Sequence, residues 1–234
     1  MTAKIIKETL RDLANTDIAE HSQRFFKTGE GEYGEGDQFL GIRVPVLRKQ
    51  VKSFEATSLA EIQKVLMSPF HEERLFSLLL LAHKFNRGDE HQQAAIYEMY
   101  LNNTKYINNW DLVDCSAHKI VGPYLEKRDR QPLYQLVESD SLWERRIAII
   151  ATYHYIRNNE FEDTLKLSKR LLDDQQDLIH KAVGWMLREV GKRNLEVEKS
   201  FLKDTYKTMP RTMLRYAIEK FPEQERKQYL HGKV

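Results

Sequence analysis

Apolar residues recur along most of this chain with the three-and-four spacing of a helix buried on one side. The longest stripes are "HEERLFSLLLLAHKF" (71–85), "WERRIAIIATYHYIR" (143–157) and "IHKAVGWMLREVGKR" (179–193), with shorter ones such as "LAEIQKVLMS" and "FEDTLKLSKRLL" between them. From about residue 57 onward no stretch shows the period of two that a half-buried strand requires. Asp and Ser gather at the joins, as in "VESDSL" ahead of "WERRIA", and supply helix-capping oxygens there. The pattern predicts an all-α chain.

Set side by side, the second helices of successive pairs show a repeat. Leu75, Leu112, Ile147, Ala182 and Met213 each follow a polar or charged residue and open an apolar stretch, at separations of 37, 35, 35 and 31 residues. One helical hairpin per period predicts an α-solenoid of HEAT-like helical repeats, with a plain bundle as the structural alternative. First helices would line a convex side and second helices a concave groove. The residues opening those second helices are Arg74, Trp110, Asp111, Asp114, Arg145, Arg146, Lys181, Trp185, Arg188, Arg211 and Arg215. Most are cations, so the concave groove is expected to be basic.

The 234 residues are 41% hydrophobic and 31% charged, enough to bury one substantial core, and a single domain spanning 1–234 is expected. With 37 basic and 35 acidic residues the net charge is only +2, so any polyanion must be met by cations segregated onto one face. No apolar run nears the roughly 20 residues of a membrane span. "MTAKIIKETLRDLANTD" lacks the apolar centre of a signal peptide. The one cysteine, Cys115, excludes an internal disulfide and fits a reducing compartment. A cytoplasmic monomer without membrane contact is expected.

The segment "FFKTGEGEYGEGDQFLGIRVPVLRK" (25–49) interrupts the helical pattern, and its glycines predict an irregular connector over about 28–41. It is not a phosphate loop: no Gly-Lys-Ser/Thr ends it, and Glu30, Glu32, Glu35 and Asp37 would repel phosphate. Val44-Pro45 predicts a helix start, with Arg43, Arg48 and Lys49 around it.

In "NNWDLVDCSAHKIVG" (108–122), Trp110 and Asp114 stand four residues apart and so share a helix face. Spacing alone allows a first-turn acid favoured by the helix dipole and a packing tryptophan. Asp111 is the better capping candidate, which leaves Asp114 without an obvious structural task. Arg146 has an ordinary reading as the partner of Asp114 across adjacent helices, and Trp185 as core. The eight histidines show no metal-ligand spacing, so no metal or cofactor is expected, and His118 and His154 read as satisfied structural residues. Asp114 beside Cys115 would raise the thiol pKa, which argues against a cysteine nucleophile.

Taken in order, Trp110-Asp111-x-x-Asp114, "WERRIA" and "KAVGWMLRE" on a HEAT-like repeat, with "FLGIRVPVLRK" near the N-terminus, resemble the alkylpurine DNA glycosylases of the AlkD type. The resemblance runs from about residue 20 to 220. It implies that Asp114 is the catalytic carboxylate, that Trp110 and Trp185 are the aromatic pair flanking it, and that Arg146 contacts backbone phosphate beside the lesion. Phe25 departs from the pattern, because the best-known type of this family has a tyrosine there and neighbouring Phe26 does not replace it. The partner implied is double-stranded DNA carrying alkylated purines. The reaction implied is base excision repair of 3-methyladenine and 7-methylguanine without a base-flipping pocket. Arg43, Arg48, Lys49, Lys181, Arg188, Arg211 and Arg215 are the candidates for DNA-backbone contacts. The rival reading is a non-catalytic HEAT-like scaffold that binds nucleic acid or protein.

Overall fold

The computed structural model describes residues 1–234, which pack as two compact units, Met1–Ile120 and Val121–Val234. Every regular element is helical, and the one strand-like feature is a single parallel bridge between Gln38 and Phe70. The chain is all-α, as its hydrophobic periodicity predicts.

The first unit contains α1 (Ala3–Arg11), α2 (Thr16–Phe25), α3 (Val44–Gln50), α4 (Leu59–Leu66), α5 (His71–Arg87), α6 (Glu90–Leu101) and most of α7 (Trp110–Leu125). Side-chain oxygens of Thr2, Asn15 and Asp89 cap α1, α2 and α6. Pro45 sits in the first turn of α3, where its missing N–H has no partner to lose. Between α2 and α3 the chain runs in turns, with Gly31, Gly36 and Gly41 at positive φ. α5 is buried all round from His71 to Ala82 and packs on α4. α6 is joined to α7 by the buried Tyr100 hydroxyl, 2.9 Å from Ser116 Oγ.

In the second unit lie α8 (Gln131–Leu136), α9 (Leu142–Ala151), α10 (Tyr153–Arg157), α11 (Glu162–Arg170), α12 (Asp177–Arg193), α13 (Leu195–Thr205), α14 (Arg211–Ala217) and α15 (Glu223–Leu230). α8 packs on α9 and α11 on α12, while the second helices α9, α12 and α14 lie side by side. The stripe over 143–157 predicts one helix, but the structure divides it at Thr152, whose buried hydroxyl donates to the Ile149 carbonyl at 2.7 Å. A threonine that bonds back to its own helix offers the backbone an alternative to the regular ladder.

The repeat is visible in bonds as well as in stripes. Ahead of α5, Ser68 Oγ accepts the Phe70 N–H at 3.1 Å and bonds Glu73 at 2.5 Å, while Arg74 Nη1 donates to the Ser68 and Pro69 carbonyls at 3.1 and 3.2 Å. Ahead of α9, Ser139 Oγ accepts the Ser141 N–H at 3.1 Å and bonds Glu144, while Arg145 Nη1 donates to the Ser139 and Asp140 carbonyls at 2.9 and 3.0 Å. The two clamps match position for position at a spacing of 71 residues. Ahead of α12 the plan recurs with Asp174 in place of serine, its Oδ1 accepting the Gln176 N–H at 2.8 Å and its carbonyl meeting His180 Nε2. This register sets Leu75 against Arg146, one residue off the alignment of apolar stripes, which had paired Leu75 with Ile147.

α12 and α14 approach closely at Gly184, where a Cβ would land on the Met213 carbonyl oxygen and the Tyr216 Cβ. Alanine at a free helical site gains about 1 kcal/mol over glycine, but overpacking costs about 1–3 kcal/mol. Gly184→Ala is therefore expected to lower stability by about 1 kcal/mol or more, read as a lower urea midpoint. A raised midpoint would show that the two helices have room to spare.

Candidate active site

α7 begins between two polar side chains that are tied to the interior. Asn109, just before the helix, accepts the Trp110 N–H on its side-chain oxygen at 2.9 Å and donates its amide to Asp37 Oδ2 at 3.2 Å. Asp111, just after Trp110, accepts the Leu112 N–H on Oδ1, and its Oδ2 lies 2.8 Å from His71 Nε2. The expectation that Asp111 is a helix cap is corrected here: it sits within the first turn as the acid of an ion pair.

His71 is 2% exposed, and its Nδ1 lies 3.3 Å from Asp37 Oδ2. Arg74 Nη2 donates to Asp37 Oδ1 at 2.6 Å. Burial by itself disfavours a charged imidazole. The charge and hydrogen bond of Asp111, joined by the hydrogen bond to Asp37, outweigh burial and the opposing Arg74 charge and push His71 up to about 9. At neutral pH His71 is therefore an imidazolium that donates from both ring nitrogens. Burial also opposes the charge on Asp37, but its hydrogen bond with His71 and the Arg74 guanidinium hold its carboxyl below the usual range. Arg74, expected among the cations of a concave groove, is corrected as well: it is 3% exposed and joins the connector to α5.

The next two residues of α5 are equally engaged. Glu72 accepts three backbone N–H groups, from Leu40 and Gly41 at 2.8 Å and from Ile42 at 3.1 Å. Gly41 has a φ of +79°, and a Cβ there would strike the Asn15 carbonyl oxygen, so the turn that aims these N–H groups requires glycine. Glu73 accepts from Ser68 Oγ at 2.5 Å and from Arg11 Nε at 3.0 Å, with Lys7 Nζ at 3.9 Å. Sequence reading missed this cluster. Its signal was four polar residues in a row at the head of a helix that has no polar side, where any charge must be paired.

An aromatic wall stands against the start of α7. Trp110 stacks on Phe26 with centroids 5.3 Å apart and meets Phe25 edge-on at 6.1 Å. Phe26 also packs on Phe39 at 5.0 Å and on His71 at 4.8 Å. Phe25 is 57% exposed. Phe26, Phe39, His71, Glu72 and Asp111 line a cleft of about 570 Å3, bounded by Asp17, Ile18 and His21 of α2 and by Arg43, Val44 and Pro45.

Trp110 and Asp114 are both half-buried, one turn apart on α7. Burial, with the Asp111 charge, pushes the Cys115 thiol up, so it is not a nucleophile at neutral pH. Arg43, Arg48 and Lys49 are exposed and carry no ion pair. Arg48 shares a shallow groove of about 330 Å3 with Lys52, His83 and Lys119, residues that sequence reading had not singled out.

In the second unit, Trp185 donates its indole N–H to Glu189 at 3.1 Å and lies 6.0 Å from the Tyr153 ring. Arg146 is 4% exposed and donates to the Leu178 carbonyl. Lys181 pairs with Asp177 at 2.7 Å, and Arg188 bonds Glu219. Arg211 and Arg215 are exposed and without an ion pair. His154 lies 3.3 Å from Glu126. The expected site residues thus divide, with Phe25, Trp110 and Asp114 in the first unit and Arg146 and Trp185 in the second. No group of three or more His, Cys, Asp or Glu is placed to hold a metal ion.

A family model described as DNA alkylation repair enzyme matches residues 6–221. Among solved structures, a predicted DNA alkylation repair enzyme from Enterococcus faecalis superposes with a TM-score of 0.68 at 16% identity, over 90% of this chain and 97% of that one. AlkD2 from Streptococcus mutans superposes with a TM-score of 0.54 at 16% identity, over 88% of this chain and 98% of that one. No curated protein matches significantly. At these identities the structures speak for the fold, and the fold is that of helical-repeat proteins.

Glu72→Ala would strand three buried N–H groups, at about 1–3 kcal/mol for each group left unpaired. The variant is expected to lose several kcal/mol of stability and to expose the 26–43 connector to protease. Wild-type resistance to cleavage there would show that the connector is held by something else.

Proposed function

This chain belongs to the DNA alkylation repair enzyme family, and on that footing we propose that it is a monofunctional DNA glycosylase acting on 3-methyladenine and 7-methylguanine in duplex DNA. The observation that carries the reading is the start of α7. Trp110 is braced on both sides by part-buried polar bonds and stacked on Phe26, and Asp114 stands half-buried one turn further along the same face.

An N3- or N7-alkylated purine is cationic and is already a good leaving group. As the C1′–N bond breaks, its electron pair returns to the purine and neutralises it, while positive charge builds on the deoxyribose. The Asp114 carboxylate stabilises that charge and orients the attacking water. Water adds its oxygen to C1′ and gives up a proton, leaving an abasic site and a neutral methylpurine. The faces of Trp110 and Trp185 offer electron-rich surface to the cationic nucleotide. Arg146 is assigned to backbone phosphate beside the lesion. Arg43, Arg48, Lys49, Lys181, Arg188, Arg211 and Arg215 are the proposed candidates for backbone-phosphate contact, a mode of binding whose affinity falls with salt. The protein acts as a cytoplasmic monomer in base excision repair. No helix is long and apolar enough to cross a membrane.

Two observations favour the non-catalytic scaffold instead: Phe25 has no hydroxyl to offer the site, and Arg146 is largely withdrawn from solvent. The two readings separate on release of 3-methyladenine and 7-methylguanine from methylated duplex DNA, by wild type and Asp114→Asn side by side. The expected outcome is release by the wild type and a loss of about 100-fold or more in the variant, with DNA binding kept. Binding without release by either protein would establish the scaffold.

A further inference from the structure

We propose that His71 is a positioning residue for this site: by joining Asp37 to Asp111 beneath the first turn of α7, it holds Trp110 in its working orientation. The proposal rests on the glycosylase reading for its purpose, but the geometry of Trp110 can be tested without activity.

Trp110 is fixed through its two chain neighbours and through its ring, and all three routes lead to the same pair of side chains. Asn109 reaches Asp37 at 3.2 Å, and Asp111 reaches His71 at 2.8 Å. The ring stacks on Phe26, which lies 4.8 Å from the imidazole. Removing the imidazolium leaves the buried Asp37 and the part-buried Asp111 as like charges with one partner fewer, so the first turn of α7 must yield. A misplacement of about 1 Å at a reacting group costs about 100-fold in rate. Asp114 rides on the same helix one turn further on, and its placement follows that of Trp110.

The charged and titratable groups facing His71 come from every element around it: Asp37 from the connector, Glu72 and Arg74 from α5, and Asp111 from α7. Asp17 and His21 of α2 and Arg43 ahead of α3 look into the same cleft. The proton on His71, held up to about 9 by the two acids, is present through the neutral range. The clamp therefore stands below pH 9 and is lost as pH rises through it. The stability it contributes follows the same sign, full below the unfolded histidine value of about 6.5 and gone above about 9.

The test follows Trp110 emission from pH 7 to 11 in a Trp143→Phe/Trp185→Phe background, with and without His71→Gln, alongside single-turnover base release and DNA affinity in the otherwise native chain. A step near pH 9 that disappears in His71→Gln is expected. The same variant should release base about 10- to 100-fold more slowly at saturating DNA, with unchanged affinity. If His71→Gln does not fold, Asp111→Asn takes its place. Removing the charge that holds the proton should move the step down by about one pH unit or more. No step, a step that survives His71→Gln, or one that Asp111→Asn leaves in place overturns the proposal, as does a variant whose rate is unchanged while Trp110 moves. A step that behaves as expected in a protein without base release overturns the glycosylase reading alone and leaves His71 as the clamp of Trp110.

Discussion

Four polar side chains, His71, Glu72, Glu73 and Arg74, enter the interior on the first turn of α5, and the need to pair them organises the first unit. A buried charge without a partner costs more than most single interactions return, so each of the four draws an element toward it. Glu73 brings α1 in through Arg11 and Lys7, and Glu72 gathers the backbone of 40–42. Arg74 holds Asp37, and His71 closes the circuit from Asp37 to Asp111. Apolar packing places α5 at the centre. The polar bonds choose which loops and helix ends meet there, and so where the face of α7 bearing Trp110 and Asp114 is set.

The second unit uses part of the same chemistry for a different end. Ser139, Glu144 and Arg145 repeat the bonds of Ser68, Glu73 and Arg74, but the outer partner differs: Arg145 reaches Asp174, 29 residues on, where Arg74 reaches Asp37 in the connector. In the second unit the clamp links one repeat to the next, as a stack of equivalent hairpins requires. In the first unit the equivalent position, 29 residues after Arg74, is Asn103, and the acid comes instead from the glycine-rich connector that precedes the helix. The acidic residue 37 of this irregular segment faces inward instead of toward any phosphate.

This distinction explains what could be read from the sequence. Helix periodicity, the start of α3 at Val44-Pro45 and the turns around 28–41 are local matters, and local spacing reports them. The repeat period was legible, but its register was off by one, because an apolar stripe tolerates a shift that a serine-to-glutamate hydrogen bond does not. Asp114 and Trp110 were legible as a pair on one helix face, and their chemistry came only through resemblance. The Asp37–His71–Asp111 cluster was not legible. Its members are 34 and 40 residues apart in the chain, and each looks like an ordinary surface charge until burial is known. The break at Thr152 was lost for a related reason, since a threonine within an apolar stripe fits a helix unless its hydroxyl takes a carbonyl of its own turn.

Burial also changes how a chain of net charge +2 can meet a polyanion. Arg74 and Arg145, which open second helices, are held by Asp37 and Asp174, and Lys181 and Arg188 by Asp177 and Glu219. A cation already paired with an acid presents little field to a phosphate and releases few counterions on contact. Arg43, Arg48, Lys49, Arg211 and Arg215 are exposed and unpaired, and Lys52 and Lys119 stand with Arg48 around one groove. The electrostatic character of a near-neutral protein is set by which cations its acids leave uncovered. Here several acids are drawn inward to fix helix starts, and exposed cations without an ion pair remain around α3 and on α14. An acid held half-buried one turn from Trp110, as Asp114 is, is on the proposed glycosylase reading the group that meets the developing sugar cation.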